Sequence, residues 1–287
     1  MTTQHSRARR PHAALLLAAG LLLAASPLAA QTLPRGPGGQ TTDINADQAI
    51  EWHQDVRAYV ARGNASAKRG ETTVHADVLT AYYREVPGKG NEVFQMVADG
   101  NVRVIAPNQQ IHGDRMVYDM DKQVAVATGR SLRLVTPRDV VTARDSLEYY
   151  DAQGLAVARG DAVAVRGDQR MRADVLIGQF AKGADGSTQL TRIDGSGNVV
   201  ITTPTDVAQA QKLIYSVADN VAVLLNGVRI TRGDNQLNGD AAEMNMNTKV
   251  NRVIANPSGD GRVRGLLVPG GQQAGMTPAP ATAGPRR

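Results

Sequence analysis

Three histidines lie beyond the first thirty residues: His53, His75 and His112. Imidazole is a common metal ligand and the usual general base near neutral pH. However, His75 and His112 each stand two residues before an aspartate in a phrase that recurs along the chain. The matching positions hold Asn45, Arg172, Gln209 and Asn238, with Ala143 the exception. A position that takes His, Asn, Arg or Gln is an outward polar position rather than a ligand. The aspartates themselves could do acid–base work, but such work needs a convergent pair of groups. Seven repeated copies of one phrase are implausible as seven catalytic sites. There is no Gly-x-Ser-x-Gly elbow and no His-Glu-x-x-His. Gly88-Lys89-Gly90 and Gly195-Ser196-Gly197 are turn glycines, with no helix behind them to offer N–H groups to a phosphate. The absence of Cys excludes thiol catalysis, thiolate metal sites and disulfides. The reading is a non-enzyme with no metal and no cofactor.

The elements that carry these residues begin after an N-terminal leader. Arg7, Arg9 and Arg10 precede the apolar run Ala13–Ala25, and Ser26-Pro27-Leu28-Ala29-Ala30 closes it. A basic start, a short apolar middle and a small-residue exit describe a secretory signal peptide, with cleavage expected after Ala30. The alternative is an uncleaved anchor. The run is short of the roughly 20 residues of a comfortable membrane span. The protein is therefore expected in the periplasm. The 287-residue chain has 32 basic and 27 acidic residues. Losing the leader removes three arginines and leaves a balance of +2. With no concentrated basic stripe in the sequence, nucleic acid is not an expected partner. Aromatics are 3% of the chain, so the core must be built from Val, Ala, Leu, Ile and Met.

Internal repeats decide the fold class. Gly precedes an alternating apolar pair in Gly100-Asn101-Val102-Arg103-Val104, Gly197-Asn198-Val199-Val200-Ile201 and Gly227-Val228-Arg229-Ile230. Looser copies start at Gly63, Gly129 and Gly160. The six glycines are 37, 29, 31, 37 and 30 apart, and the long gaps hold the turn insertions Val86–Asn91 and Lys182–Ser187. About fourteen residues after each Gly comes a second phrase, as in Ala76-Asp77-Val78-Leu79 and Ala173-Asp174-Val175-Leu176. Further copies centre on Asp47, Asp114, Asp145 and Asp240, with Gln211 degraded. Each unit reads as two half-buried strands. Apolar residues three before the Asp (Ile44, Val74, Ile111, Met171, Leu237) and two after it (Leu79, Met116, Leu147, Leu176, Leu213) differ in parity. A bend at the Asp would return both to one interior. The Asp is expected at a corner, accepting local backbone N–H groups.

The prediction is an all-β, elongated fold of about seven ~30-residue, two-strand repeats over residues 41–269. Residues 31–40 form a Pro/Gly linker, and 270–287 a polar, disordered tail. Trp52 is either a binding anchor or a cover for the end of the core.

Ile44-Asn45-Ala46-Asp47, Gly63-Asn64, His75-Ala76-Asp77-Val78-Leu79 and Gly113-Asp114-Arg115-Met116-Val117-Tyr118 together resemble the OstA-like domain family of lipopolysaccharide transport. Arg262-Val263-Arg264-Gly265-Leu266-Leu267-Val268-Pro269 resembles that family's ending. The resemblance covers about 41–269, and the repeat region is longer than a minimal member needs. It implies an open, V-shaped β-jellyroll that binds the acyl chains of lipopolysaccharide (its lipid A) in an apolar groove. It also implies an LptA-like role, carrying that lipid from inner to outer membrane for outer-membrane assembly in a Gram-negative cell. Implied partners are an inner-membrane LptC-like component, an outer-membrane LptD-like component and further copies joined head to tail as a homo-oligomer. The joining edges would be near Asp43–Ile50 and Val250–Val268. Candidate lining residues are Ile44, Val102, Val104, Val163, Val165, Val199, Ile201, Val228 and Ile230; packing against the opposite sheet is the alternative for each. Arg103, Arg133, Arg166 and Arg229 read as a solvated face, with a phosphate-facing rim as the alternative. The rival function is a secreted structural or adhesive β-repeat protein without lipid, which a dry interior would favour.

Overall fold

The computed structural model describes residues 42–183, 188–255 and 262–268. The expected leader (1–30), linker (31–40) and tail (270–287), both outer limits of the 41–269 domain, and much of the turn insertion at 182–187 lie outside them. The period-two pattern becomes eighteen strands, with no helix among the described residues. They are β1 (Asp43–Asn45), β2 (Ala49–His53), β3 (Ala58–Arg69), β4 (Thr72–Val86), β5 (Gly90–Ala106) and β6 (Gln109–Asp119). Next come β7 (Val124–Thr128), β8 (Leu132–Val135), β9 (Asp139–Ala143), β10 (Ser146–Tyr150), β11 (Leu155–Arg166) and β12 (Gln169–Lys182). The last are β13 (Thr188–Thr202), β14 (Val207–Ser216), β15 (Val221–Arg232), β16 (Asn235–Asn245), β17 (Val250–Ile254) and β18 (Arg264–Leu266).

All belong to one antiparallel sheet that runs back and forth with the chain. β1 and β2 both pair with β3, β7 and β8 with β6, β9 and β10 with β11, and β17 and β18 with β16. These four couples are each one strand path broken in the middle, which leaves fourteen paths, the seven two-strand repeats of the sequence.

The breaks and bulges form one line across the sheet. Gly63-Asn64, Gly100-Asn101, Gly160-Asp161, Gly197-Asn198 and Asn226-Gly227 all have positive φ at both residues. At each pair the register shifts, so that two residues face one on the next strand. The residue they face is Asp77, Asp114, Asp174, Gln211 or Asp240 in turn, the repeat Asp and its degraded copy. Two against one is a β-bulge, which bends and twists the strand. The sheet thereby folds into two walls. The first wall carries Ala65, Ala67, Val74 and Val104, and the second carries Ala61, Leu79, Ala98 and Met116; all eight share one core. The parity switch at the Asp is therefore real: Val74 with Leu79, Ile111 with Met116, and Met171 with Leu176 meet inside.

The carboxylates bind differently from the expectation. Asp114 accepts a backbone N–H, from Arg130 at 3.0 Å. Asp77 accepts the Asn101 side-chain amide at 2.8 Å, and Asp174 that of Asn198 at 2.9 Å. The donor is the bulge Asn of the adjacent strand, because the bulge turns that amide toward the corner. Asp77, Asp145 and Asp174 also lie under the next bulge glycine. A Cβ on Gly100 would overlap the Asp77 carboxylate, and one on Gly197 that of Asp174. Where the Asp is Gln211, the following Gly227 has nothing within 4 Å.

Gly100→Ala adds this overlap to the strain of a left-handed alanine, whereas Gly227→Ala has only the strain. The expected losses are about 2–3 and about 1 kcal/mol respectively, read from urea unfolding midpoints. Equal losses would show that the corner aspartate is not packed as described.

Candidate functional site

The interior is apolar along its whole length. One core cluster runs from Ala61 to Tyr149, a second from Ala143 to Met244, and Leu147 packs against both. Val102 and Val104 lie in the first at 3% exposure each, with Ile44 packed partly buried against it. Val199, Ile201, Val228 and Ile230 lie in the second, none above 3% exposed. Thus seven of the nine candidate lining residues point inward. They fall into two groups, one in each half of the chain. Val163 and Val165 do not point inward. Their neighbours Ala162 and Ala164 belong to the second core, and Val163 and Val165 pair with the outward Arg172 and Arg170. The stretch Ala162–Val165 is apolar on both faces, so alternation alone could not tell the faces apart. The bulge at Gly160-Asp161 decides it, placing inward residues two and four after the glycine.

The arginines interleaved with the lining residues face out. Cross-strand register runs His75–Arg103–His112–Arg133–Thr142–Val163–Arg172 and on through Val200, Gln209, Arg229 and Asn238 to Arg264. Five arginines and two histidines thus share one outer row, although no local run in the sequence is basic. Arg172 pairs with Asp161. At its N-terminal end the row borders a corner hollow of about 450 Å³ lined by His75, Asp77, Asn101, Arg103, His112 and Asp114. Among the described residues no group of His and carboxylates could hold a metal ion.

At the mouth of the fold, opposite the corner, polar groups cap the inner face of the first wall. Arg166 ends β11 on the inner face and clamps Asp139 of β9 with two hydrogen bonds, 2.6 and 3.0 Å. Arg232 ends β15 and clamps Asp206 in the same way, at 2.7 and 2.9 Å. Burial pushes the Tyr215 phenol of the second wall upward, and the nearby Arg166 opposes this. Arg69 and Tyr118 repeat the relation in the first half, and burial pushes Tyr149 up to about 12. Arg166, expected on a solvated face with Arg103, Arg133 and Arg229, instead ends the inner-face row after Ala162 and Ala164; the other groups do not stand out in the sequence, because each pair is joined across many residues.

The two ends of the sheet have no further strand among the described residues. Apart from Val207 on β14, the exposed large apolar residues gather there: Ile50, Trp52 and Val56 at the first end, Val250, Ile254, Val263 and Leu266–Val268 at the last. Trp52 is 56% exposed, stacks on Tyr59 and donates to Tyr83 Oη at 2.7 Å.

A family model described as "LptA/(LptD N-terminal domain) LPS transport protein" matches residues 43–144 and again 141–250. The chain belongs to this family. The double match meets in β9, between the two cores. Equivalent residues stand 97 apart on either side of it: Gly63 and Gly160, Arg69 and Arg166, Asp77 and Asp174, Gly100 and Gly197, Tyr118 and Tyr215. This LptA-like chain is thus two family units in tandem, with the β9/β10 path closing the first and opening the second. No curated protein matches it. Among solved structures, it is similar to LptH of Pseudomonas aeruginosa, described as the LptA-homologous periplasmic component of the lipopolysaccharide transport device. That match has 20% identity and a TM-score of 0.40, and covers 46% of this chain and 95% of LptH.

The Arg232 guanidinium holds the Asp206 carboxyl below its usual range, with Thr205 assisting. Because the folded value is depressed, this stabilisation is present above the unfolded carboxyl value near 4. It is lost as pH falls through the folded value. Arg232 is half exposed, so the contribution is on the order of 1 kcal/mol. Melting measured from pH 5 down to pH 2 should show Asp206→Asn losing less stability on acidification than the parent. Parallel curves would assign the acid sensitivity elsewhere.

Proposed function

We propose that this protein carries lipopolysaccharide across the periplasm, from the inner to the outer membrane, as a two-unit segment of a protein bridge. The observation that carries the reading is the tandem family match laid along a continuous apolar interior, with no further strand at either sheet end among the described residues. Acyl chains in water cost about 0.8 kcal/mol per CH₂, so a lipid with several chains cannot cross freely. An apolar path removes that cost while sugars and phosphates stay in solvent. Val and Ala at Val102, Ala162, Val199 and Ala208 keep the lining thin.

The edges favour end-to-end pairing. An exposed strand edge recruits another strand unless protected. The first end carries Asp43, Asp47 and Glu51 on and between β1 and β2, and the last carries Lys249, Arg252 and Arg264 on and beside β17 and β18. Opposite charge and apolar residues at both ends suit a join to another copy, and to LptC-like and LptD-like components at the two membranes. Export would follow from the N-terminal leader. Non-catalytic transport accounts for the corner aspartates as structure.

One observation favours a second reading. Inward residues are 0–3% exposed at Val102, Ile201 and Val228, so the interior is packed shut, as a purely structural repeat would have it. Transport then requires the walls to part at the mouth.

A photo-reactive amino acid at Val102 or Ile201 should form adducts with lipopolysaccharide in cells, and one at the outward Val165 should not. Adducts confined to Val165, or none from folded protein at the two inner sites, would favour the structural repeat.

A further inference from the structure

Three arginines occupy one repeat position, six residues after the first residue of a bulge pair: Arg69 after Gly63, Arg166 after Gly160 and Arg232 after Asn226. All three end an inner-face row at the mouth. Arg166 and Arg232 are each saturated by a bidentate aspartate from the preceding strand path. Arg69 is not. It is 7% exposed, its Nε is buried with no hydrogen-bond partner, and no ion pair joins it to a described residue. The reason lies in register. Asp139 stands opposite Arg166, while Asp43 pairs with Lys68, so the residue opposite Arg69 is Thr42. Asp43 itself is on the other face. Thr42 has no carboxylate, the partner on β4 is the buried Thr72, and the Tyr118 phenol of the opposite wall lies nearby.

A buried guanidinium without a counter-charge is costly, and its planar fork of donors suits a carboxylate or a phosphate equally well. The two sister positions are closed by protein carboxylates. The open one lies in the first unit, where inner apolar surface meets the solvent-facing lip. An amphiphile with its chains inside would place its headgroup at that level. Resting on the transport reading above, we propose that Arg69 is a phosphate-binding position of the first unit. It takes a phosphate monoester of the lipid cargo where Arg166 and Arg232 take an aspartate.

The test compares the full chain with Arg69→Gln and Thr42→Asp. The second variant installs at Arg69 the carboxylate that Arg166 already has. Binding is measured to bisphosphorylated lipid A, to the same lipid stripped of both phosphates, and to inorganic phosphate, with a thermal melt of each protein. Thr42→Asp should melt higher than the parent yet bind bisphosphorylated lipid A about tenfold more weakly, a loss shared by Arg69→Gln. All three proteins should bind the dephosphorylated lipid equally. Equal binding of bisphosphorylated lipid A by all three would overturn the Arg69 assignment and leave the transport reading standing. Binding of neither lipid by the parent would overturn the transport reading, and this assignment with it. If inorganic phosphate stabilised the parent through Arg69 while lipid binding ignored the phosphates, the site would belong to the free ion and the lipid assignment would fail.

Discussion

Everything in this fold depends on one contact repeated across the sheet: a carboxylate on one strand seated beneath the bulge glycine of the next. Asp77 under Gly100 and Asp174 under Gly197 leave no room for a side chain on the glycine. The bulge Asn then turns its amide to the same carboxylate, Asn101 to Asp77 and Asn198 to Asp174. A flat sheet this large would offer one apolar face to water. The row of bulges bends every long strand in the same place, and two half-strands cover each other. Because the corners at Asp77, Asp145 and Asp174 are locked to their neighbours, the bend propagates as a straight fold line. Ladder hydrogen bonds then need to break at only four paths, including Ala143–Ser146 and Thr128–Leu132.

Most of this architecture can be read from the sequence, because its cause is local. The parity change between Val74 and Leu79, or Met171 and Leu176, demands a bend at the intervening Asp whatever the neighbours are. The spacing of Gly and Asp phrases likewise counts the strand paths. Local pattern fails where both faces look alike. In Ala162-Val163-Ala164-Val165 the bulkier valines are the outward pair. It also fails where a feature exists only across strands. The outer arginine row joins Arg103 to Arg264 through ten registers, and the Arg166–Asp139 clamp spans 27 residues. The extra length over a minimal family member is visible in the sequence, but its meaning is not. Two units sharing a strand path look like one longer run of repeats, because the junction keeps the same corner chemistry at Asp145 and Gly160.

Sharing that path has an electrostatic consequence. Where the second unit follows the first, the strand it receives brings Asp139, and the inner arginine at the mouth is neutralised. The next clamp, Asp206 with Arg232, keeps the rest of the second unit balanced. Only the first unit begins on a strand with threonine at that place. The tandem is therefore asymmetric in its interior charge although its apolar lining is nearly uniform.

The closed interior is consistent with a path that opens, because of where the strong interactions lie. The backbone ladder runs along and around the corner, and parting the walls at the mouth breaks none of it. What holds the mouth is side-chain packing, since the Arg166–Asp139 and Arg232–Asp206 clamps each join strands of one wall. Opening therefore costs mainly the apolar area exposed, at about 25 cal/mol per Å². Acyl chains entering the gap cover that same area. An empty interior should close on its small side chains, since an apolar void loses dispersion contacts on every side. A filled one can stay open at little cost. A hinge locked at the corner and unbonded at the mouth meets both demands. A barrel closed by backbone hydrogen bonds could not do so without breaking strands.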